Sequence, residues 1–379
     1  MLQKKNMPVT IKVVNSKSDL KKFIYYPLTL HKDHMNWVPP IFSEELAFYN
    51  PSKNKSLSTC DHIMALAYEG NTIVGRIMGI INNPYNSLNS LKDARFFAIE
   101  CIEKQEVLHE LISFVQEWAK ARGMTRLVGP YGFSDKDPQG FMIDGFDYMP
   151  VLATNFNFPY MVKLLENEGF TKEVDCLSYK IDIPDGMPVL YSQILRRTLR
   201  NNRMKLLDFP KKKSMKNYIV PVFRLVNEAY SGIYGFIPLD EQEMKEIADK
   251  YFMILDREFV KIIVEESGDI AAFIIAIPDM SEGIIRAEGK LFPFGFIHIL
   301  QSAKKTKQLD LFLGAVKENH RNLGLDALLG ANILESAHKR NMNVIDSHLI
   351  LEDNHLMRAE LEKLGGKVYK RYRVYQKAI

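Results

Sequence analysis

At 379 residues, 46% hydrophobic and 25% charged, the chain has globular composition. Its length suits about two domains at roughly 150 residues each, enough to bury a core without disulfides or metals. Its 50 lysines and arginines against 46 aspartates and glutamates leave a net charge of +4, which excludes a globally basic DNA-binding protein and leaves local patches for any electrostatic partner. Three scattered cysteines, Cys60, Cys101 and Cys176, exclude a disulfide framework and any Cys-x-x-Cys motif, and fit the reducing cytoplasm.

From the start, MLQKKNMPVT lacks the apolar stretch of an export signal, and the longest apolar runs fall short of the roughly 20 residues that span a bilayer, so no membrane partner is expected. His31 and His34 have i, i+3 spacing suited to one helix face, but no further ligand stands nearby and no zinc site is expected. Runs 62–69 and 72–81, joined by Gly70 and Asn71, predict a β-hairpin. A strand (95–100), a long helix (105–122), a strand (126–128), a short helix (159–168) and a final strand (174–183) follow. The Pro- and Gly-containing stretch 182–187 marks a boundary near residue 186, and 191–207 then has helical spacing with Ile194, Leu195, Leu199 and Met204 on one stripe.

After helices at 220–230 and 241–251 the same order returns: a hairpin (259–265 and 270–277), an inserted helix (296–303), a strand (309–316), a long helix (323–339), a strand (343–351), a short helix (355–364) and a final strand (367–375). Each short helix ends at a glycine suited to a C′ position, Gly169 or Gly365, and each follows an asparagine placed to cap it, Asn157 or Asn354. The repetition predicts a duplicated mixed α/β architecture, with domains at 1–185 and 186–379.

The most specific motif is the strand, turn and helix of LFLGAVKENHRNLGLDALLGANIL. A helix start offers unpaired N–H groups and the positive end of the dipole, and Gly324 admits close backbone approach, so the turn suits a pyrophosphate. Arg321, Asn322, Leu323, Gly324, Leu325 and Asp326 resemble the R/Q-x-x-G-x-G/A acetyl-CoA signature of the GNAT acyltransferase superfamily. The resemblance implies two tandem GNAT-like domains, each a mixed twisted sheet flanked by helices. It assigns the pantetheine arm to the backbone of Val316 and Lys317, and the pyrophosphate to residues 321–326. Asn354 matches an asparagine that contacts the cofactor arm, beside its plain reading as a helix cap. Asp326 departs from the pattern, standing where the family has Gly or Ala and setting a carboxylate near the anion.

A second departure is Leu361, which stands where the family often places a tyrosine acid; Tyr372 on the final strand is the substitute. Glu352, at the end of the preceding strand, is the candidate general base, with Glu318 second. The first half has no Arg-x-x-Gly turn, so it is not expected to hold the cofactor. This asymmetry resembles tandem GNAT proteins such as the FemABX peptidyltransferases and N-myristoyltransferase.

Two segments suit an acceptor. The long acidic loop 129–147, with Asp144 near its end, fits a cationic amine or serves as a bridge between halves. Tyr234 and Phe236 line a pocket or plug the core. A basic run, Arg196, Arg197, Arg200, Arg203, Lys205, Lys211, Lys212, Lys213 and Lys216, suits the 3′-phosphate of coenzyme A, a tRNA acceptor stem, or plain solvation. The leading expectation is therefore a cytoplasmic acetyl-CoA-dependent N-acyltransferase acting on a small-molecule or peptide amine. A FemABX-like aminoacyl-tRNA-dependent transferase and a non-catalytic GNAT-fold binding protein are the alternatives.

Overall fold

The computed structural model describes residues 7–186 and 204–379. Arg196, Arg197, Arg200 and Arg203 of the basic run, and residues 191–203 of the helix expected over 191–207, lie outside the described residues. At its far end Met204–Leu206 is a strand, β8, paired with Ile263, Val264 and Glu265, where a helix was expected. Edge pairing outweighs the local helical spacing there.

Both predicted hairpins form: β2 (Asp61–Glu69) with β3 (Thr72–Ile81), and β9 (Val260–Glu265) with β10 (Ile270–Pro278). Gly70 turns the first with φ of 58°. Each hairpin is followed by a strand, a helix and a parallel strand: β4 (Asp93–Cys101), α5 (Gln105–Lys120) and β5 (Arg126–Gly129), then β11 (Gln308–Val316), α11 (Leu325–Lys339) and β12 (Val344–Asp346). In α5 the residues Val107, Leu108, Leu111, Ile112, Val115 and Trp118 form one buried face, the i, i+3, i+4 stripe that drives such a helix onto a sheet. The strand expected over 343–351 is broken by Ser347, His348 and Leu349 into β12 and β13 (Ile350–Leu351). Before Asp61, where the sequence assigns no elements, lie β1 (Val9–Val13) and helices α1 (Lys17–Leu30), α2 (Phe42–Phe48) and α3 (Ser56–Thr59).

The two halves share one sheet, in the order β1-β2-β3-β4-β5-β14-β7-β12-β11-β10-β9-β8, where β7 is Thr171–Asp182 and β14 is Lys367–Ala378. The final strands are exchanged. β7 pairs with β12 of the second half, and β14 pairs with β5 of the first. The two run antiparallel to each other along most of their length at the sheet's centre. Within each half the parallel pair joins for three residues only, Asp93–Arg95 against Arg126–Val128 and Gln308–Asp310 against Val344–Asp346. Beyond those residues the strands part.

The acidic loop bridges the halves. Lys136 Nζ donates to the Ile237 carbonyl at 2.7 Å, and the Ile237 N–H donates to Asp135 at 3.4 Å. Beside this contact Gly235 has φ of 73°, and a Cβ on it would lie 1.7 Å from the Tyr131 hydroxyl. Tyr131 is 1% exposed and has no room to retreat. Gly235→Ala is therefore expected to cost about 3 kcal/mol, read from the shift in urea midpoint, through left-handed strain and overpacking together. A midpoint equal to the wild type would refute this account of the contact.

Candidate functional site

Strand alternation gives β11 and β12 two unlike faces. Leu309 and Ile345 point into the apolar core beneath α11, packed with Ile333, Leu334 and Ala337. On the other face stand Gln308, Asp310 and Asp346, the two aspartates being register neighbours and 2% and 1% exposed. Lys370, wholly buried on β14, brings its Nζ to 3.2 Å from Asp346 Oδ2 and donates to the Met149 carbonyl at 3.1 Å. A β-bulge between Val368 and Lys370 lets the adjacent Tyr369 also reach Asp346, to which its hydroxyl donates. Asp279, just past β10, completes the group. Its Oδ1 accepts from the Ser281 hydroxyl at 2.6 Å and the Ser281 N–H at 3.1 Å.

A loop of the first half roofs this cluster with three of its carbonyls. Met149 takes Lys370, Pro150 takes the Ser281 hydroxyl at 3.3 Å, and Leu152 takes His348 Nε2–H at 2.9 Å. Under it opens a cleft of about 230 Å³ lined by Asn36, Tyr148, Lys180, Asp279, Gln308 and Tyr369 among others. Three carboxylates share one buried ammonium, and the consequence is electrostatic. Burial, with Asp346 and Asp279 adding repulsion, holds the Asp310 carboxyl well above the ordinary range. Burial likewise raises Asp279, lowers His348, and raises Tyr369 with help from Asp346.

An acid whose folded pKa is raised weakens the fold above that value, and the penalty fades as pH falls toward the unfolded carboxylate pKa. Asp310→Asn keeps an acceptor for Gln308, which now donates at 2.8 Å, and removes the charge. The variant is expected to be more stable than wild type at neutral pH, with the gain disappearing in acid. Urea unfolding at two pH values checks this, and a loss of stability at neutral pH refutes it.

The predicted cofactor turn lies at the start of α11. Gly324 is its N-cap with φ of 77°, and no side chain caps it. Arg321, Asn322, Leu323 and Asp326 are exposed, while Leu325 is buried and anchors the turn. The first-turn N–H groups and the Arg321 side chain, 45% exposed, are donors of the kind a pyrophosphate takes. Asp326 adds to the field of Glu360 in holding the Lys363 ammonium above its usual value, so its charge has a cationic neighbour. Lys317 donates from Nζ to Glu265 at 3.2 Å, and Val316 packs beside Leu325 and Leu328. Past Asp310, β11 has no strand partner on the β12 side among the described residues.

Other expected residues lie elsewhere. Glu352 takes Lys172 at 2.6 Å and the Asp175 N–H at 3.1 Å, so both its oxygens tie β13 to β7. Tyr372 is 0% exposed among Met142, Phe156 and Cys176, sealed by the central strands. Glu318 is exposed beside Arg321. Asn354 caps the helix α12 (His355–Lys363) through the Met357 N–H at 3.2 Å. Asn157 does not cap its helix; it holds the Met142 N–H and carbonyl instead. Asp144 ends the short strand β6 (Phe141–Asp144), opposite Arg371. Tyr234 donates to Glu173 at 3.3 Å and stacks edge-on with Tyr131, and Phe236 is buried beneath the Lys136 ammonium. His31 and His34 stand past the end of α1, where His31 bonds Glu100 at 3.0 Å and His34 at 2.8 Å; burial and His31 bring His34 down to about 4.

Sequence reading passed over Asp279, Asp310, Asp346, Tyr369 and Lys370. One signal was available. Asp310 and Asp346 are lone acids inside apolar strands, QLDLFLGAV and NVID, where a carboxylate is costly without a partner.

No protein-family model matches the chain. Along nearly its full length it is similar to a bacterial ceramide synthase of Caulobacter vibrioides, 27% identical over 99% of this chain and 98% of that protein. Protein YghO of Escherichia coli is 26% identical over 96% of this chain and 94% of its own. Among solved structures, a tandem GNAT protein from the clavulanic acid biosynthesis pathway aligns with a TM-score of 0.55 at 13% identity, covering 98% of both chains. A GCN5-related N-acetyltransferase from Sphaerobacter thermophilus aligns at 0.51 and 12% identity, covering 98% of this chain and 95% of the other. The chain has the tandem GNAT fold that its repeated element order implies.

Proposed function

We propose that this tandem GNAT-fold chain is an acyl-CoA-dependent N-acyltransferase whose acceptor is the amine of a long-chain amino alcohol. The observation that carries the reading is Asp279 at the cleft, a carboxylate held above its ordinary range with Oδ2 free of hydrogen bonds among the described residues. Such a group binds an ammonium and takes its proton. The relative named ceramide synthase supports the acceptor class, since a ceramide is the N-acyl amide of a long-chain amino alcohol.

In this reading the acyl-CoA pyrophosphate meets the start of α11 and Arg321, and the pantetheine arm follows Val316 and Lys317 along the parted edge of β11. The amine enters the cleft and gives a proton to Asp279. Its lone pair attacks the thioester carbonyl carbon to form the C–N bond, the C–S bond breaks, and the second proton on the nitrogen passes through solvent to the departing thiolate, leaving the neutral amide and the free thiol. Proximity and orientation supply most of the rate in such a direct transfer.

Titration of the purified protein with acyl-CoA, beside Arg321→Glu, tests the first half of the reading. Binding that weakens at least about ten-fold in the variant is expected, because the exposed Arg321 makes no core contact. Thiol release that depends on a long-chain amino alcohol tests the second half. A wild type that binds no acyl-CoA would overturn the proposal in favour of a non-catalytic role for the fold.

A further inference from the structure

No helix among the described residues is long and apolar enough to cross a membrane, yet one face of the second half carries a group of exposed large apolar side chains. Helices α9 (Ser281–Arg286) and α10 (Gly295–Lys305) form a tight hairpin. A Cβ on Gly283 would lie 2.6 Å from the Ile299 Cα, and one on Gly295 would lie 1.7 Å from the Lys290 carbonyl oxygen, so only glycine permits this approach. The inner side, Ile284 and Ile299, packs with Val38, Ile41 and Leu152 of the first half. The connection is tied down by the Phe42 N–H to the Gly289 carbonyl at 3.0 Å and the Phe296 N–H to Leu291 at 2.9 Å.

The outer side is apolar. Phe292 and Phe294 are 79% and 66% exposed, and Phe296, Ile297 and Leu300 continue the face along α10 at i, i+1, i+4 spacing. Scattered exposed apolar residues are ordinary, but five large ones on one rigid hairpin form a contiguous patch that asks for a partner. Lys304 and Lys305 close the last turn of α10 with no ion pair among the described residues, whereas Arg286 and Lys290 are matched by Glu282 and Glu288. Aromatic rings beside unpaired lysines are the pattern of an interfacial helix on an anionic bilayer. A second copy of the chain fits less well, because a two-fold contact through this face would bring the same lysines together.

We infer that the α9–α10 hairpin docks the protein on the surface of an anionic lipid bilayer, with Phe292, Phe294 and Phe296 in the acyl boundary and Lys304 and Lys305 at the headgroups. Ser281, the first residue of this hairpin, also lines the cleft, and Tyr148 and Met149 expose apolar surface at the cleft's edge. The hairpin thus joins the bilayer to the cleft. The link to catalysis rests on the acyltransferase reading, since a long-chain amine is a bilayer component; the docking itself does not.

Flotation of the full chain with phosphatidylcholine vesicles, alone or with about a third phosphatidylglycerol, tests the inference. Wild type is expected to float with the anionic vesicles and not with the neutral ones. The triple variant Phe292→Ser, Phe294→Ser, Phe296→Ser is expected to lose at least about ten-fold in vesicle affinity, and Lys304→Gln with Lys305→Gln about ten-fold, both with unchanged melting curves. Wild type that stays in solution would overturn the inference, as would a serine variant that floats equally well. A dimer dissolved by the serine substitutions, in a protein that ignores vesicles, would overturn it in favour of a second copy. The vesicles hold no acceptor, so the two readings fail separately. A protein that floats but releases no thiol when given acyl-CoA and a long-chain amino alcohol in detergent removes the acyltransferase reading, and transfer in detergent by a protein that does not float removes the docking.

Discussion

Asp279→Asn is expected to lower kcat for acyl transfer by about 10²–10⁴-fold while leaving acyl-CoA affinity within about two-fold, the range for removing a positioned proton acceptor. The substitution keeps the oxygen that takes the Ser281 hydroxyl and N–H, so the local structure survives while the basicity goes. The wild-type pH profile carries its own sign. The acceptor works as the carboxylate, and burial holds its pKa above the ordinary aspartate range. Activity should therefore fall as pH drops through a value higher than a free aspartate would set, and this acid limb should vanish in the residual activity of Asp279→Asn. An asparagine variant with wild-type kcat, or one that keeps the acid limb, would remove Asp279 from the reaction. The parallel substitution Glu352→Gln should act mainly on stability, because that carboxylate bridges Lys172 and the Asp175 backbone.

Lys370→Met should be the most damaging single change to the fold, costing about 3–5 kcal/mol in urea unfolding. Lys370 is 0% exposed, pairs with Asp346 at 3.2 Å, and its charge also acts on Asp279 and Asp310. Its loss strands Asp346 as a buried charge beside Asp310, which is worse than never having had the pair. The prediction therefore includes a rescue. Lys370→Met combined with Asp346→Asn should recover more than half of the loss, since the asparagine still faces Tyr369 while the orphaned charge is gone. A double variant as unstable as the single one would show that the lysine acts by packing, through its buried stem and its bond to Met149, and not by charge compensation.

The segment between Gly129 and Leu152 illustrates how a function divides between levels. Its length and its glycines mark it as a loop worth attention, and its aspartates suggest an amine acceptor. In the folded chain Asp137 takes the Phe133 and Ser134 N–H groups and Asp135 the second half, while Asp147 and Tyr148 line the cleft and the backbone carbonyls of Met149, Pro150 and Leu152 roof the cluster beside it. Carbonyl oxygens have no residue type, so no sequence pattern could have pointed to them. The same limit applies to Tyr369, which a bulge turns beside Lys370 against the alternation of its strand.

The amino-acid sequence determined by itself what local physics decides. Turn residues such as Gly70, apolar period and helix-ending glycines at 169 and 365 gave the hairpins, the long helices and the order repeated in each half; the glycine turn before α11 gave the resemblance to acyltransferases. Beyond the two hairpins, tertiary structure alone decided which strands became neighbours. β7 and β14 cross into each other's half, and that exchange brings Lys370 over Asp346 and a loop of the first half over the cleft of the second. A period of two says which side chains share a face of one strand but nothing about the strand beside it. Asp279, Asp310, Asp346 and Lys370 stand far apart along the chain, and only long-range pairing makes them one site.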